Sequence, residues 1–230
     1  MKEKYKSIIK RSSQSEIDQF LDNAKSLSFS KTSSSGRLMF AMDATFSRKP
    51  TWDLACQIQG EMFLTTDQIG GLKIKLAYYS GFDTFKVSNW IGNSRQLLKL
   101  MSSVDCEGGK TQIARVLTYT INQHKKQSLD AIVFVGDCME ENPDILSDLA
   151  GQLGLLGVPL FIFQEGFDLS AKQTFKHMCK LSNGAYCAFD VGSAEQLKAL
   201  LSAVAVYAAA GRTAYLDYAE RHKIAGLLEK

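Results

Sequence analysis

The stretch Leu38-Met39-Phe40-Ala41-Met42-Asp43-Ala44-Thr45-Phe46-Ser47 decides the fold, because an apolar run of strand length ends in a group of oxygen-bearing side chains. Asp43, Thr45 and Ser47 are spaced two residues apart, so an extended turn would bring their oxygens to one side. Carboxylate and hydroxyl oxygens suit a hard cation such as Mg²⁺. The alternative is a turn in which the same side chains cap backbone N–H groups.

On both sides of this stretch, apolar runs that predict buried strands alternate with segments of helical period. The predicted strands are Arg37–Met42, Leu72–Tyr79, Thr84–Val87, Ala131–Val135, Val158–Phe163 and Ala185–Phe189. The predicted helices are 15–27, a segment after Pro50, Ser94–Ser103, Thr111–His124, Pro143–Leu156, Ser170–Leu181 and Ala194–Ala210. The alternation predicts an α/β fold, a Rossmann-like, open and mostly parallel six-stranded sheet with helices on both faces. The turn at residues 81–83 predicts one antiparallel edge strand, Thr84–Val87.

Three segments are predicted along the 230 residues. Residues 1–35 form an N-terminal helical extension with a Ser-rich linker, and residues 212–230 form a C-terminal extension. Residues 36–211 are long enough to bury one hydrophobic core and form the domain itself.

Two further groups are placed as a metal site requires. Thr111 follows the Gly108-Gly109 loop, and Asp137 ends the apolar run Ala131–Val135. In an open parallel sheet, ligands bind beyond the carboxyl ends of the strands, where the strand order reverses. If the strands that precede Asp43 and Asp137 are neighbours, both carboxylates therefore emerge at one crevice.

Asp-x-Thr-x-Ser at 43–47, Gly-Gly-x-Thr at 108–111 and the strand-end Asp137 resemble, in order and spacing, the metal-ion-dependent adhesion site (MIDAS) of von Willebrand factor A (VWA) domains. Residues 77–82, 157–163 and 182–186 resemble the second strand, the fifth strand and the entry to the last strand of that family. Thr45 replaces the more usual serine and keeps the hydroxyl. Phe46 and Cys138 stand where a small residue and a glycine are typical, which bears on ligand selectivity more than on metal binding.

The resemblance implies roles for these residues. Thr45, Ser47 and often Thr111 touch the ion, Mg²⁺ or Mn²⁺, while Asp43 and Asp137 hold it through water or at close range. A partner protein's Asp or Glu completes the coordination. The residues expected on the partner-binding rim are Phe46, Arg48, Lys110 and Cys138.

The function that the resemblance implies is that of a cytoplasmic, non-enzymatic protein-binding module in a larger assembly, with ATPase or chaperone components as partners by family analogy. Two alternatives stay open. One is a Mg²⁺-dependent hydrolase of phosphate esters at the same oxygens; the other is a metal-free structural adaptor. Against the hydrolase, no His or Lys is placed as an obvious acid or base, and position 45 is threonine where an Asp-x-Asp nucleophile pair needs aspartate.

Bulk properties exclude other classes. A net charge of +3 without a basic stripe argues against nucleic-acid binding, and no uncharged stretch predicts a membrane span. Five cysteines without a CxxC motif predict reduced thiols in a cytoplasmic protein.

Several local motifs are assigned no chemistry. The Gly109-Lys110-Thr111 sequence is not a phosphate loop, because Val104 occupies the position of its first glycine. His177, Cys179 and Cys187 do not have zinc-ligand spacing. Glu140 and Glu141 are interpreted as solvated loop acids.

Overall fold

The computed structural model describes residues 36–51, 72–189, 199–209 and 218. Its strands are β1 (Gly36–Asp43), β2 (Leu72–Ser80), β3 (Thr84–Val87), β4 (Ala131–Gly136), β5 (Leu160–Glu165) and β6 (Ala185–Phe189). A 3₁₀ helix covers Phe46–Thr51. The α-helices are α1 (Ser94–Met101), α2 (Ile113–Lys126), α3 (Pro143–Leu155), α4 (Leu169–Leu181) and α5 (199–209).

The six strands form one sheet in the order β3-β2-β1-β4-β5-β6. Every neighbouring pair is parallel except β2 and β3, which are antiparallel. The predicted mostly parallel sheet with one antiparallel edge strand is therefore confirmed. β1 lies between β2 and β4, so the chain proceeds from β1 first to one side of the sheet and later to the other. The carboxyl end of β1 is the switch point at which such sheets bind ligands.

From Leu38 to Met42 the side chains of β1 are buried on both faces of the sheet, which explains why this part of the strand is apolar. Leu38, Phe40 and Met42 belong to a core that includes residues of α1 and α5. Met39 and Ala41 belong to a second core with residues of α2, α3 and α4. The prediction of helices on both faces is confirmed.

Two elements begin two residues later than predicted. α2 begins at Ile113 and not at Thr111, because the backbone N–H and the hydroxyl of Thr111 are both bonded to Glu140. β5 begins at Leu160, two residues after the predicted start at Val158. The N–H of Val158 is bonded to the carbonyl of Leu153 in the last turn of α3, and the next residue is a proline, which has no N–H for a ladder.

Some predicted features lie outside the described residues: the helix at 15–27, most of the segment after Pro50, and the extension at 212–230 except Tyr218. The three-segment division of the chain stays a prediction. No helix within the described ranges is long and apolar enough to cross a lipid bilayer.

Candidate functional site

The two aspartates predicted to bind metal meet at the carboxyl ends of neighbouring strands. Asp43 is the last residue of β1, and Asp137 directly follows β4. The strands are parallel with Met42 opposite Val135, so both chains leave the sheet at the same edge. One carboxylate oxygen of each aspartate and the Sγ of Cys138 lie within 4.8 Å of one another. The part of the chain described contains no other such group of His, Cys, Asp or Glu.

The Asp43 carboxylate is fully buried and accepts two hydrogen bonds. Its Oδ1 accepts from the backbone N–H of Thr45 at 2.7 Å, and its Oδ2 accepts from the Tyr79 hydroxyl at 2.9 Å. Burial raises the pKa of Asp43, Asp137 adds to the rise, and Thr45 and Arg48 oppose it. Tyr79 lies beside Asp43 in the strand register, and burial together with that carboxylate raises its own pKa, so its hydroxyl stays a donor.

The two hydroxyls of the 43–47 motif lie next to each other. Thr45 is buried and Ser47 is exposed, and their Oγ atoms are 3.1 Å apart. The 3₁₀ helix that begins at Phe46 turns the chain here, which leaves Ser47 exposed and Thr45 buried. Each hydroxyl oxygen has two lone pairs and could bind a cation as a neutral ligand.

The Gly108-Gly109 loop is held against the ends of β1 and β2. The N–H of Glu107 donates to the carbonyl of Ala44 at 3.1 Å, and the N–H of Lys110 donates to the carbonyl of Gly81 at 3.2 Å. A Cβ on Gly109 would overlap the backbone of Gly81, so this close approach requires glycine.

Thr111 is connected to the Asp137 loop through Glu140. The Thr111 N–H donates to Glu140 Oε2 at 3.2 Å, and the Glu140 N–H donates to Thr111 Oγ1 at 3.1 Å. The hydroxyl keeps its second lone pair and its proton. The loop containing Thr111 is thus joined directly to the loop containing Asp137.

The interpretation as a solvated loop acid is wrong for Glu141, whereas Glu140 is exposed in its loop and also accepts the Thr111 N–H. Glu141 is half-buried, and its carboxylate accepts from the N–H groups of Ile113 and Ala114 at 2.7 and 2.8 Å. These are N–H groups of the first turn of α2, which have no partner within the helix. Gln112, at the helix start, provides no side-chain cap, so Glu141 performs that role from another loop.

Arg48 was predicted on the partner-binding rim, and this prediction is wrong. Its side chain is buried and its Nε is 3.1 Å from Glu165 Oε2. Its Nη1 donates to the carbonyls of Asp43 at 2.8 Å and Val135 at 3.4 Å. Arg48 therefore supports the ends of β1 and β4 from within the protein, because its charge is compensated by a carboxylate at the end of β5.

The other predicted rim residues are accessible. Phe46 is 60% exposed, Lys110 is exposed and Cys138 is half-buried. Burial and the Asp137 carboxylate raise the pKa of the Cys138 thiol. The three residues rejected above as zinc ligands differ in exposure: His177 is exposed, whereas Cys179 and Cys187 are buried.

Gln164 is a further supporting residue that the sequence reading missed. It is buried on β5, and its Nε2 donates to the carbonyls of Asp137 at 3.2 Å and Asp168 at 2.9 Å. The hydroxyl of Tyr186 donates to its Oε1 at 2.7 Å and so fixes the orientation of the amide. A polar residue inside the apolar run of β5 was the available signal.

No protein-family model matches this sequence, and no curated protein matches it. Among solved structures, the VWA domain of SpRpn10 is similar with a TM-score of 0.55 at 15% identity, covering 68% of this chain and 88% of that one. A von Willebrand factor type A structure from Catenulispora acidiphila gives a TM-score of 0.60 at 14% identity, covering 74% and 43%. The chain has the von Willebrand factor A fold. Proximal thread matrix protein 1 of the mussel byssus, solved with a zinc-occupied MIDAS motif, gives a TM-score of 0.57 at 11% identity, covering 76% and 47%.

The residues at the carboxyl ends of β1 and β4 have the chemistry of a cation site. Asp137 Oδ1 is buried and has no hydrogen-bond partner. A buried carboxylate oxygen without a donor is costly unless a cation or a proton compensates it. The two carboxylates also repel each other, and a divalent ion between them would remove that repulsion. The residues present therefore fit a metal ion.

Proposed function

We propose that this chain is a protein-binding module that holds a divalent cation at its MIDAS position and captures an acidic residue of a partner. The single observation that carries the proposal is the buried, unpartnered Oδ1 of Asp137 beside the buried Asp43 carboxylate. The residues assigned to the ion are Asp43, Thr45, Ser47, Thr111 and Asp137. Mg²⁺ or Mn²⁺ is the ion that these oxygens suit best.

The balance of charges supports an acidic partner. Neutral hydroxyls from Thr45, Ser47 and Thr111 add no negative charge to the ion's surroundings. The Asp43 carboxylate is already shared with Tyr79 and Thr45, which lowers its capacity to neutralise the ion. A bound cation therefore supplies an electropositive point at the exposed end of the site, and an incoming Asp or Glu would form a charge-assisted contact there. The zinc-occupied MIDAS of the mussel protein supports a divalent ion at this position of the fold.

The setting of this activity belongs to the same proposal. We place the module in the cytoplasm, where thiols stay reduced, and in a larger assembly whose partner is an ATPase or chaperone component. The chain is proposed to be a non-enzymatic module, since the two described histidines serve elsewhere. His124 Nδ1 accepts from the N–H of Leu129, and His177 lies in the groove between α3 and α4.

The cation is tested by titration calorimetry of the purified chain with Mg²⁺ and Mn²⁺ after treatment with a chelator. We expect one binding event that is abolished in Asp43→Ala and in Asp137→Ala. Asp148→Ala is the matched control, because Asp148 is an exposed acid on α3, and we expect it to bind as the wild type does. Circular dichroism establishes that each variant is folded. Absence of heat and of any competition with Mn²⁺ in folded wild-type protein would sink the proposal.

The acidic partner is tested with an array of peptides in which each Asp or Glu is paired with Asn or Gln at the same position. We expect Mg²⁺-dependent binding that needs the carboxylate and is lost with EDTA. Capture of proteins from native lysate by wild type and by Asp43→Ala then identifies the partner. Metal-dependent turnover of a phosphate ester that is lost in Asp137→Ala would instead establish the hydrolase and reject the binding module.

A further inference from the structure

Cys138 places sulfur beside the two carboxylates of the site. Its Sγ lies within 4.8 Å of an oxygen of Asp43 and of an oxygen of Asp137, and the residue is half-buried. Two carboxylates and a thiol form a mixed set of oxygen and sulfur donors. Cys106 is also half-buried, but it does not belong to this group.

The partners of the two aspartates favour a ligand in this group of three. Both oxygens of Asp43 accept hydrogen bonds from protein donors, whereas Asp137 Oδ1 is buried without one. The backbone of Asp137 is fixed by Gln164, which holds its carbonyl. Of the two carboxylates, Asp137 therefore has an oxygen free to bind an ion, and Cys138 is the next residue in the chain.

Sulfur changes which ion such a site selects. Mg²⁺ takes oxygen ligands at near-ideal octahedral geometry and gains little from a thiolate. Zn²⁺ is borderline-soft and binds Cys sulfur together with carboxylate oxygen in proteins. A cysteine sulfur beside two carboxylates therefore shifts the preference of the site towards zinc-like ions.

We infer that Cys138 is a sulfur ligand of the cation site and that the site prefers Zn²⁺ to Mg²⁺. The inference rests on the proposed function, because it names a ligand and an ion for the same site. When the Sγ–metal bond forms, the S–H bond breaks and its proton passes to solvent, so no electron donor or acceptor is required. Binding of zinc therefore releases a proton that binding of Mg²⁺ through oxygens alone does not.

The experiment uses Co²⁺ and Cd²⁺ as spectroscopic probes of the full chain in reducing buffer. We expect a thiolate-to-metal charge-transfer absorption that saturates with one equivalent of ion and is displaced by Zn²⁺. Cys138→Ser should remove the absorption and weaken Zn²⁺ binding by more than about 10-fold, since even the partners of metal ligands are worth about 10- to 100-fold in affinity.

Cys106→Ser is the matched control and should keep the absorption. The single variants Asp43→Ala and Cys138→Ser should both lose the absorption, which would assign the signal to this site and not to another thiol. Wild-type protein that binds Zn²⁺ or Mg²⁺ in an Asp43-dependent way without thiolate absorption overturns the cysteine ligand and leaves the proposed function standing. Failure to bind any of the four ions overturns both. Absence of thiolate absorption from the wild-type spectrum overturns the inference even if a variant does not fold.

Discussion

Arg48 provides the sharpest test of how the site is supported. We replace it with methionine, which has similar length and no charge. The loss leaves Glu165, whose side chain is only 13% exposed, without its counter-charge at 3.1 Å. It also removes the donor from the carbonyls of Asp43 and Val135. Because removal of one partner strands a buried charge, we expect the free energy of unfolding to fall by about 3–5 kcal/mol.

The assay is urea denaturation at pH 7 with EDTA, so that metal binding does not contribute. For a chain of this size the loss corresponds to a melting temperature about 6–20 °C lower. Glu165→Gln in the Arg48→Met background removes the stranded charge and should recover more than half of the loss. Arg115→Met is the control, because Arg115 pairs with Asp83 at 2.9 Å on the surface, and we expect a change within about 1 kcal/mol.

Two results would refute this reasoning. One is a loss for Arg48→Met no larger than that for Arg115→Met. The other is simple additivity of Arg48→Met and Glu165→Gln, which would mean that the two side chains do not interact energetically.

Three further predictions concern the loops around the site. Gly109→Ala should displace its loop and weaken cation binding measured by calorimetry. Gly108→Ala, with open space around the new Cβ, should bind the cation normally. Equal cation affinities of the two variants would contradict this prediction. Asp43→Asn should stabilise the metal-free protein at pH 7 in thermal melts with EDTA. The pKa of Asp43 is raised in the folded state, so its stabilising contribution is complete below the unfolded-state pKa and is lost as pH rises through the folded-state pKa. The stability advantage of the Asn variant should therefore vanish at low pH. A variant less stable than the wild type at pH 7 would contradict this prediction. Glu141→Ala should cost about 2 kcal/mol in urea denaturation because two helix-end N–H groups lose their acceptor, and Glu140→Ala, which loses one bond from an exposed side chain, should cost less.

The fold was predictable from the sequence because its signals are local. The apolar run ending at Asp43 and the run ending before Asp137 are both strands, and parallel neighbours place their carboxyl ends together. The Gly108-Gly109 loop was predictable as a site of close backbone approach, and its glycine at 109 does meet the backbone of another turn. The proximity of the two aspartates follows from strand order alone.

The supporting side chains were not predictable, since their partners are distant in the chain. Arg48 pairs with Glu165, 117 positions away, and nothing around either residue in the sequence indicates the other. Arginine is exposed in most contexts and is buried only when its charge is paired. The burial of Arg48 therefore depends on a carboxylate from β5. Glu141 similarly caps a helix that begins 28 positions earlier.

Among the described strands, β1 and β4 are the one neighbouring pair that joins the two halves of the sheet, with three strands in each half. An ion shared by Asp43 and Asp137 would fasten that junction at its open end. Filling of the site at about 100 times its dissociation constant would add about 2.7 kcal/mol to the free energy of unfolding. Metal availability would then govern how long the chain survives in its native form, besides governing what it recognises.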